Sequence, residues 1–362
     1  MLLCYVASFN NSNSRFIKYL GRSKNNRLNI FHFIALLLIS IVAGFRYQVG
    51  NDWMAYKRYY DRMINSLEVR FDEQTMEYGY YVINKIFSQL ELSHVFVFFV
   101  AAYLGWYFVF KSVPARLLPL SLFFLFTDEQ FFLSMNLVRQ FIAMGIFLFA
   151  LRYVTSRSLF KYILMIMLAS FFHYSAIILL LVYFLPFKKM YNQYVWAGIF
   201  IVTLLLSGNQ TLIESFLNAL FYVTGQYELA AVYHTYFLSE SFLRGVDSVG
   251  LGFYFSVVMS FVILYFSKEI IVKYPNSKQY FILFFIGVVI FNMFYMFMII
   301  VRINNYFMIL KSILLALTVY HLWSGNGLRK SLGIAIMVLY IVLFIASMSR
   351  SARMCCPYQF GF

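Results

Sequence analysis

Residues 31–53 read FHFIALLLISIVAGFRYQVGNDW, an apolar run that ends abruptly at Arg46 and Asp52. A transmembrane helix needs about 20 apolar residues to cross ~30 Å of hydrocarbon, and the run over 31–48 has roughly that length. Charged and aromatic side chains at the end of such a run are typical of the border between membrane and water. The stretch therefore predicts a first span that leads directly into a polar segment at the membrane surface.

The composition of the whole chain indicates an integral membrane protein. Of 362 residues, 62% are hydrophobic and only 12% are charged, whereas soluble domains are about 45–50% apolar and about 25% charged. The net charge of +15 comes from Lys and Arg in short gaps between apolar runs. This distribution is typical of the loops of a multi-pass membrane protein and not of a nucleic-acid-binding face. The three cysteines, two of them adjacent, indicate neither a disulfide framework nor a metal site.

The apolar runs predict an all-α polytopic membrane protein with about 10–12 transmembrane helices, forming one domain over 1–362. The run over 160–187 is longer than one crossing needs and is interrupted around His173. Two large segments, 49–93 and 209–248, are predicted to lie outside the cytoplasm. After the first span, further spans are predicted near 94–111, 117–132, 136–153, 194–208, 249–267, 279–300, 303–322 and 331–349.

The Lys and Arg residues orient these spans, because they gather in cytoplasmic loops. Residues 1–30 carry five basic side chains and no acid, while 49–93 carries seven acids, so the N-terminus is predicted inside. A single crossing over 160–187 would carry the following Lys188 and Lys189 outside. We therefore predict a broken or re-entrant helix pair near His173, with its polar turn buried in protein or lining a water-filled cavity.

Polar side chains converge on the predicted outer half of the membrane, and we take them as candidate site residues. An Arg within a membrane helix costs roughly 2.5–3.5 kcal/mol and usually faces an interior cavity. The guanidinium group of arginine binds phosphate through two parallel hydrogen bonds, so three arginines at one level of the membrane suit a lipid-linked diphosphate. The candidates are Arg46, Asp52, Tyr56, Glu77, Arg139, Gln140, His173, Ser175, Arg302 and the nearby Tyr306, with Arg302 expected in an external loop.

Several of the candidates have a structural alternative that the sequence leaves open. Arg46 and Arg139 can be anchors at helix ends, and Asp52 and Glu77 can be solvated loop carboxylates. His173 can act as a general base on a sugar hydroxyl, or it can be a core histidine bonded to a backbone carbonyl. Tyrosines line sugar-binding grooves, but they also gather at membrane interfaces for purely physical reasons.

Several absent motifs narrow the chemistry. The sequence has no Asp-x-Asp pair, no Walker loop, no Gly-x-Gly-x-x-Gly and no His-Glu-x-x-His. Nucleotide-sugar transfer and ATP hydrolysis are therefore disfavoured. A donor activated by a lipid carrier fits better, and we predict neither a cofactor nor a metal.

Five motifs in order resemble the EpsG-like branch of the Wzy-type polysaccharide polymerases, over roughly residues 31–310. They are FRYQVGNDWMAYKRYY, EYGYYVINKI, NLVRQFIAMGIFLFALRY, SFFHYSAIILL and VRINNYF. The resemblance implies a metal-independent membrane glycosyltransferase of the bacterial inner membrane that makes O antigen, capsule or exopolysaccharide. Its partners would be an undecaprenyl-diphosphate-linked oligosaccharide, the lipid bilayer and a chain-length regulator.

The family pattern can be carried onto this sequence residue by residue, and with it we form a hypothesis about the role of each site residue. The Arg, Gly-x-Asp and Tyr of the pattern fall on Arg46, Gly50, Asp52 and Tyr56. His173, Arg139 and Arg302 would be catalytic, with His173 taking the acceptor proton and the arginines stabilising the leaving diphosphate. The remaining residues would bind substrate: Arg46, Asp52, Tyr56, Glu77, Gln140, Ser175 and Tyr306.

Other functions share parts of this pattern. A membrane O-acyltransferase would also use a membrane histidine and a basic partner, with access from the cytoplasm. A flippase or exporter of lipid-linked oligosaccharide would share the basic cavity but would need no proton acceptor. A ligase is chemically close to a polymerase, and the sequence separates the two poorly.

Overall fold

The computed structural model describes residues 28–65, 76–187, 191–207, 250–295 and 297–361, together with residues 215 and 219. These residues are predominantly helical, and among them there is no β-strand, while an isolated antiparallel bridge joins Arg46 and Phe360. The predicted all-α class is confirmed. Lys188, Lys189 and most of 1–30 and 209–248 lie outside the described residues.

The chain divides into two compact units. The first contains the described parts of Met1–Leu185 and Leu315–Phe362, and the second contains those of Pro186–Leu314. A single domain over the whole chain stays a prediction. The helices of the first unit up to residue 185 are α1 (Ile30–Gly44), α2 (Trp53–Asn65), α3 (Tyr78–Gln89), α4 (His94–Ser112), α5 (Leu118–Thr127), α6 (Gln130–Asn136), α7 (Val138–Thr155), α8 (Leu159–Phe172) and a 3₁₀ helix (Tyr174–Phe184).

The second unit contains the described helices that follow Leu185 in the chain, up to Leu314. Its helices are α9 (Gln193–Leu206), α10 (Leu251–Lys273) and α11 (Lys278–Phe294), with a 3₁₀ turn at Pro275–Ser277. Helix α12 (Met298–Trp323) starts in this unit and ends in the first, which also holds α13 (Gly327–Ser349) and a 3₁₀ turn at Ala352–Met354.

Six of the described helices are long and apolar enough to cross a membrane: α4, α7, α10, α11 with its preceding turn, α12 and α13. Five shorter apolar helices accompany them, namely α1, α5, α8, the 3₁₀ helix after α8, and α9. This arrangement confirms a multi-pass membrane protein. The segment predicted over 49–93 contains α2 and α3 in its described part.

Helices α4 and α7 form the centre of the first unit and pack closely through glycines. A Cβ added to Gly145 on α7 would lie 2.6 Å from the carbonyl oxygen of Gly105 on α4, so only a small residue permits this approach. At the far end, the Nη2 of Arg152 donates to the Lys111 carbonyl oxygen at 2.7 Å. The ends of α4 and α7 therefore meet, the two helices run parallel, and their first turns lie at one end of the unit.

The prediction of one span over 117–132 is wrong. Helix α5 ends at Thr127, and at 1.5 Å per residue it is only about 15 Å long. Glu129 then adopts a left-handed conformation with φ 60° before α6 begins. Its carboxylate accepts hydrogen bonds from Arg353 and Ser347, which stabilises the turn that breaks the apolar run.

The expectation that Arg302 lies in a loop is wrong, while its position outside the cytoplasm stays a prediction. Helix α11 ends at Phe294 and α12 begins at Met298, so Arg302 and Asn304 are helical. The Asn304 Nδ2 donates to the Gly287 carbonyl oxygen of α11 at 3.0 Å. The amide nitrogen of Asn304, close to the start of α12, thus donates to the backbone of the neighbouring helix.

The predicted break at His173 is confirmed as a helical hairpin. His173 is extended, with φ −157° and ψ 112°, between α8 and the 3₁₀ helix. The Tyr162 hydroxyl donates to the Leu179 carbonyl oxygen at 2.6 Å across the pair, so the chain doubles back at His173. At 1.5 Å and 2.0 Å per residue the two arms are each only about 21–22 Å long.

Candidate functional site

Four of the predicted site residues meet at the end of the first unit where α4 and α7 begin. The Glu77 Oε1 lies 2.6 Å from the Nδ1 of His173, and the Glu77 Oε2 accepts a hydrogen bond from the Nη1 of Arg139. Tyr56 forms a side-chain hydrogen bond with Arg139, and its ring lies 5.9 Å from the guanidinium carbon. We call Tyr56, Glu77, Arg139 and His173 the Glu77 cluster.

Glu77 reaches His173 because α3 approaches the end of α8 very closely. Glu77 is the N-cap of α3 and has an extended backbone. Two residues later, a Cβ added to Gly79 would lie 2.9 Å from the Phe171 carbonyl oxygen and 3.0 Å from the Phe172 ring. A larger residue at this position would push α3 away from the hairpin, so Gly79 determines the contact between Glu77 and His173.

Arg139 occupies an electrostatically unfavourable position that Glu77 compensates. It lies in the first turn of α7, where a cation meets the positive end of the helix dipole at a cost of about 0.3–1 kcal/mol. Its side chain is 22% exposed while that of Glu77 is 6% exposed. Among the residues that the structure describes, the buried Arg139 Nε has no hydrogen-bond partner, and the exposed part of the side chain is where a ligand can reach the guanidinium.

The charge of Glu77 determines the tautomer of His173. Burial raises the pKa of the Glu77 carboxyl, but the hydrogen bond from His173 and the charge of Arg139 lower it further, so its pKa lies below the usual value. An ionised carboxylate only accepts hydrogen bonds, and the Nδ1 of His173 must therefore carry the proton. In the neutral imidazole the Nε2 is then left as the acceptor, on a side chain that is 23% exposed.

Arg46 lies next to the cluster but is already engaged by the protein. It is 2% exposed, and its two Nη atoms donate to the carbonyl oxygens of Ala43 and Met135, both at 2.7 Å. Its guanidinium carbon lies 4.8 Å from the centre of the Phe98 ring, and that ring is 6.2 Å from the ring of Tyr56. These contacts favour a structural role for Arg46, and its predicted role in substrate binding stays a prediction.

The structure places three further candidates around the cluster without a direct bond to Glu77. Asp52 immediately precedes α2, its carbonyl oxygen accepts from the Tyr56 N–H at 3.1 Å, and its charge acts on Tyr56. Gln140 follows Arg139 on α7 and is buried. Ser175 is half-buried in the first turn of the 3₁₀ helix, two residues after His173.

Arg302 and Tyr306 belong to the second unit. They lie four residues apart on α12, where Arg302 is exposed and Tyr306 is fully buried. Their membership of the site stays a prediction. The sequence reasoning overlooked Lys311 on the same helix, which is buried and donates to the Ser256 hydroxyl at 3.3 Å, although a lysine inside an apolar run is a visible signal.

The Glu77 cluster combines a proton acceptor with a cation. The His173 Nε2 can accept a proton from a hydroxyl, and Arg139 can stabilise negative charge that develops on a leaving group. Within the described part of the chain, no group of three or more His, Cys, Asp or Glu side chains could hold a metal ion.

Comparison with known proteins gives one match. A model described as the EpsG family matches residues 29–360, which is nearly the whole chain and includes every residue of the Glu77 cluster. No curated protein and no solved structure matches the sequence.

Proposed function

The chain belongs to the EpsG family, and on that premise we propose that it is a membrane glycosyltransferase that polymerises a surface polysaccharide. In this reaction a growing glycan moves from its undecaprenyl diphosphate carrier to the next lipid-linked repeat unit. The observation that carries the proposal is the joining of His173 and Arg139 by one buried carboxylate. Glycosyl transfer from a diphosphate needs both a proton acceptor and a positive charge at the leaving group.

The proposed step balances as a substitution at the anomeric carbon. A hydroxyl of the acceptor repeat unit attacks the anomeric carbon of the growing chain, and its proton moves to the Nε2 of His173. A new C–O bond forms while the C–O bond to the carrier diphosphate breaks, and the electron pair stays on the diphosphate oxygen. Glu77 stabilises the imidazolium that forms, and water later takes the proton.

Arg139 is the cation that faces the departing diphosphate in this scheme. One of its nitrogens is bonded to Glu77, and that bond orients the side chain so that no rearrangement is needed when charge develops. We assign Arg46 to holding the start of the loop in place, because both of its Nη atoms are bonded to backbone carbonyls. The catalytic role of Arg302 and the substrate-binding role of Tyr306 stay proposals, and a chain-length regulator is the proposed partner.

The distribution of charge supports an extracytoplasmic site at a bacterial inner membrane. At the opposite end of α4 and α7, the adjoining loops contain basic residues and no acidic residue. Such basic clusters mark the cytoplasmic side of a membrane. The cluster end carries acids as well as bases. An active site at the cluster end would meet substrates outside the cytoplasm, where lipid carriers and not nucleotides supply activated sugars. The basic residues at the opposite end are Lys111, Arg116, Arg152, Arg157 and Lys161.

A strain deleted for the gene and complemented with variants tests the proposal. Wild type should restore a ladder of long surface glycan on a gel. Arg139→Ala should give only single-repeat bands at equal protein level, since the leaving diphosphate loses its cation. Arg152→Ala is the matched control on the same helix and should restore a ladder.

Each other outcome identifies a different function. A full ladder in the deletion strain would overturn the polymerase proposal and point to an O-acyltransferase. Loss of even single repeats at the surface would point to an exporter or flippase. His173→Ala would then leave transport largely intact, because transport requires no proton acceptor.

A further inference from the structure

The segment after α13 folds back over the loop between α1 and α2. The Tyr47 N–H donates to the Gln359 carbonyl oxygen, and the Gly361 N–H donates to the Phe45 carbonyl oxygen, both at 2.9 Å. These two bonds flank an antiparallel bridge between Arg46 and Phe360. We call Arg353–Gly361 the strap.

The strap also holds the Gly50–Asn51 turn that precedes Asp52. The Gly50 N–H donates to the Met354 carbonyl oxygen at 2.8 Å. Gly50 has φ +96°, and a Cβ there would lie 2.8 Å from the Asn136 Oδ1, so the turn requires glycine for both its conformation and its packing. The same Asn136 oxygen accepts from the Asn51 N–H at 2.6 Å.

Asn136 links the strap to the start of α7. Its Nδ2 donates to the Arg353 carbonyl oxygen at 3.2 Å, and its side chain is buried at the end of α6, three residues before Arg139. One amide group therefore joins the strap, the Gly50–Asn51 turn and the segment that leads into the Glu77 cluster.

Two side chains fasten the strap at its ends. The Arg353 Nε donates to the Glu129 Oε2 at 3.0 Å, and the Tyr358 hydroxyl donates to the Val42 carbonyl oxygen near the end of α1. Neither side chain contacts a member of the Glu77 cluster. The Tyr358 contact holds the backbone of α1, and the Arg353 contact holds the carboxylate of Glu129 between α5 and α6.

We propose that the strap is a positioning element that fixes the Gly50–Asp52 turn and, through Asn136, the start of α7, so that Arg139 and Tyr56 keep their places. This inference rests on the proposed function, because it assigns Asn136 and Tyr358 as positioning residues for the same reaction. It also places the strap on the same side of the membrane as the Glu77 cluster, outside the cytoplasm.

A disulfide tests the position and the sidedness of the strap independently of catalysis. A Cβ on Gly361 would lie 3.4 Å from the Cβ of Tyr47, next to the usual disulfide range of about 3.5–4.5 Å. The Tyr47→Cys, Gly361→Cys double variant should therefore form a disulfide during expression, because the extracytoplasmic compartment is oxidising. The native thiols that the structure describes compete poorly, since burial raises the pKa of Cys355 to about 11 and also raises that of Cys356.

The readout is labelling of the denatured protein with a polymer-linked maleimide. The two engineered thiols should be protected until a reductant is added, while each single variant should label without reductant. Labelling of both engineered thiols in the unreduced double variant would overturn the inferred position of the strap.

A rescue experiment tests the positioning role. Tyr358→Phe removes one fastening hydrogen bond and should lower the polymerisation rate several-fold. The rescue variant combines Tyr358→Phe with Tyr47→Cys and Gly361→Cys. Its oxidised form should elongate the glycan several-fold faster than its reduced form. The elongation rate of wild type should not change when a reductant is added. Equal rates in both redox states would overturn the role. If wild type itself makes no polymer, the proposed function fails while the labelling result still tests the strap.

Discussion

Arg139 and Arg152 lie at opposite ends of the same helix, α7, and the protein treats them differently. Arg139 is bonded to the buried carboxylate of Glu77, which also binds His173. Arg152 donates to the carbonyl oxygens of Phe149 and Lys111 and lies 3.6 Å from the centre of the Phe149 ring.

Under the proposed function, this difference distinguishes a reactive site from a structural anchor. Backbone carbonyls and an aromatic face stabilise Arg152 where it stands, and they create no acid–base chemistry. At the other end, a carboxylate and an imidazole beside Arg139 form a set of groups that can move a proton and bind a phosphate. The predictions that follow test this contrast, beginning with the largest expected effect.

Replacement by lysine should reduce the elongation rate at Arg139 but not at Arg152. Lysine keeps the charge but cannot form a fork to both Glu77 and a diphosphate, so Arg139→Lys should lower elongation by about 100-fold, within the range for loss of one charge-stabilising donor. Arg152→Lys should stay within about threefold of wild type, because a lysine can still donate to a carbonyl. Elongation of a lipid-linked repeat by purified protein measures both, and similar losses in the two variants would contradict the contrast.

Glu77→Gln should have the next largest effect. Glutamine keeps the size of the side chain but loses the charge that orients His173 and Arg139, and changes in groups that orient a reactive residue typically cost about 10–100-fold. The exposed Glu91, at the end of α3, supplies the control. Glu91→Gln should elongate at the wild-type rate, and a Glu77→Gln rate within twofold of it would show that the carboxylate is not required.

The sequence predicted the fold and the site to different extents. Apolar length is a local property, so the runs over 94–111 and 136–153 identified α4 and α7 to within about two residues. The break at Thr127 was missed although Asp128, Glu129 and Gln130 interrupt the apolar run there. What no local pattern shows is the left-handed backbone of Glu129 and its bonds to Ser347 and Arg353, which lie more than 200 residues away.

The site was predicted as a set of residues but not as a geometry. The interruption at His173 was visible in the sequence, because a polar group in an apolar run needs a turn or a partner. The pairing of Glu77 with Arg139 and His173 spans 62 and 96 residues, and no periodicity in one sequence encodes contacts over that separation. Glu77 was accordingly expected to bind substrate, whereas the structure gives it a central position.

A further variant tests whether the position of α3 matters for elongation without changing any charged residue. Gly79→Ala places a Cβ against the Phe171 carbonyl and should draw Glu77 away from His173, with a several-fold loss of elongation because small displacements of oriented groups reduce rate. A Cβ on Gly198 meets nothing within 4 Å, so Gly198→Ala should have no effect. Equal rates in the two variants would contradict the role of Gly79.

The smallest expected effect is on stability in acid. Because the pKa of Glu77 lies below its usual value in the folded protein, its carboxylate stabilises the fold fully above ~4.3, the pKa of an unfolded glutamate. This contribution is lost as the pH falls from there through the lower folded pKa. The part of the Tm difference between wild type and Glu77→Gln that comes from this carboxylate should therefore persist down to about pH 5 and shrink below about pH 4.3. A difference that shrinks near neutral pH would contradict the shift.

The most direct test of the central claim is to measure substrate binding and chain elongation together in purified His173→Gln protein reconstituted in lipid vesicles. Glutamine can still donate to Glu77 but cannot accept and hold a proton, so the account predicts that a lipid-linked repeat unit binds as it does to wild type while elongation falls by about 10²–10⁴-fold. Elongation at the wild-type rate, or a loss of binding equal to the loss of elongation, would show that His173 is not the proton acceptor.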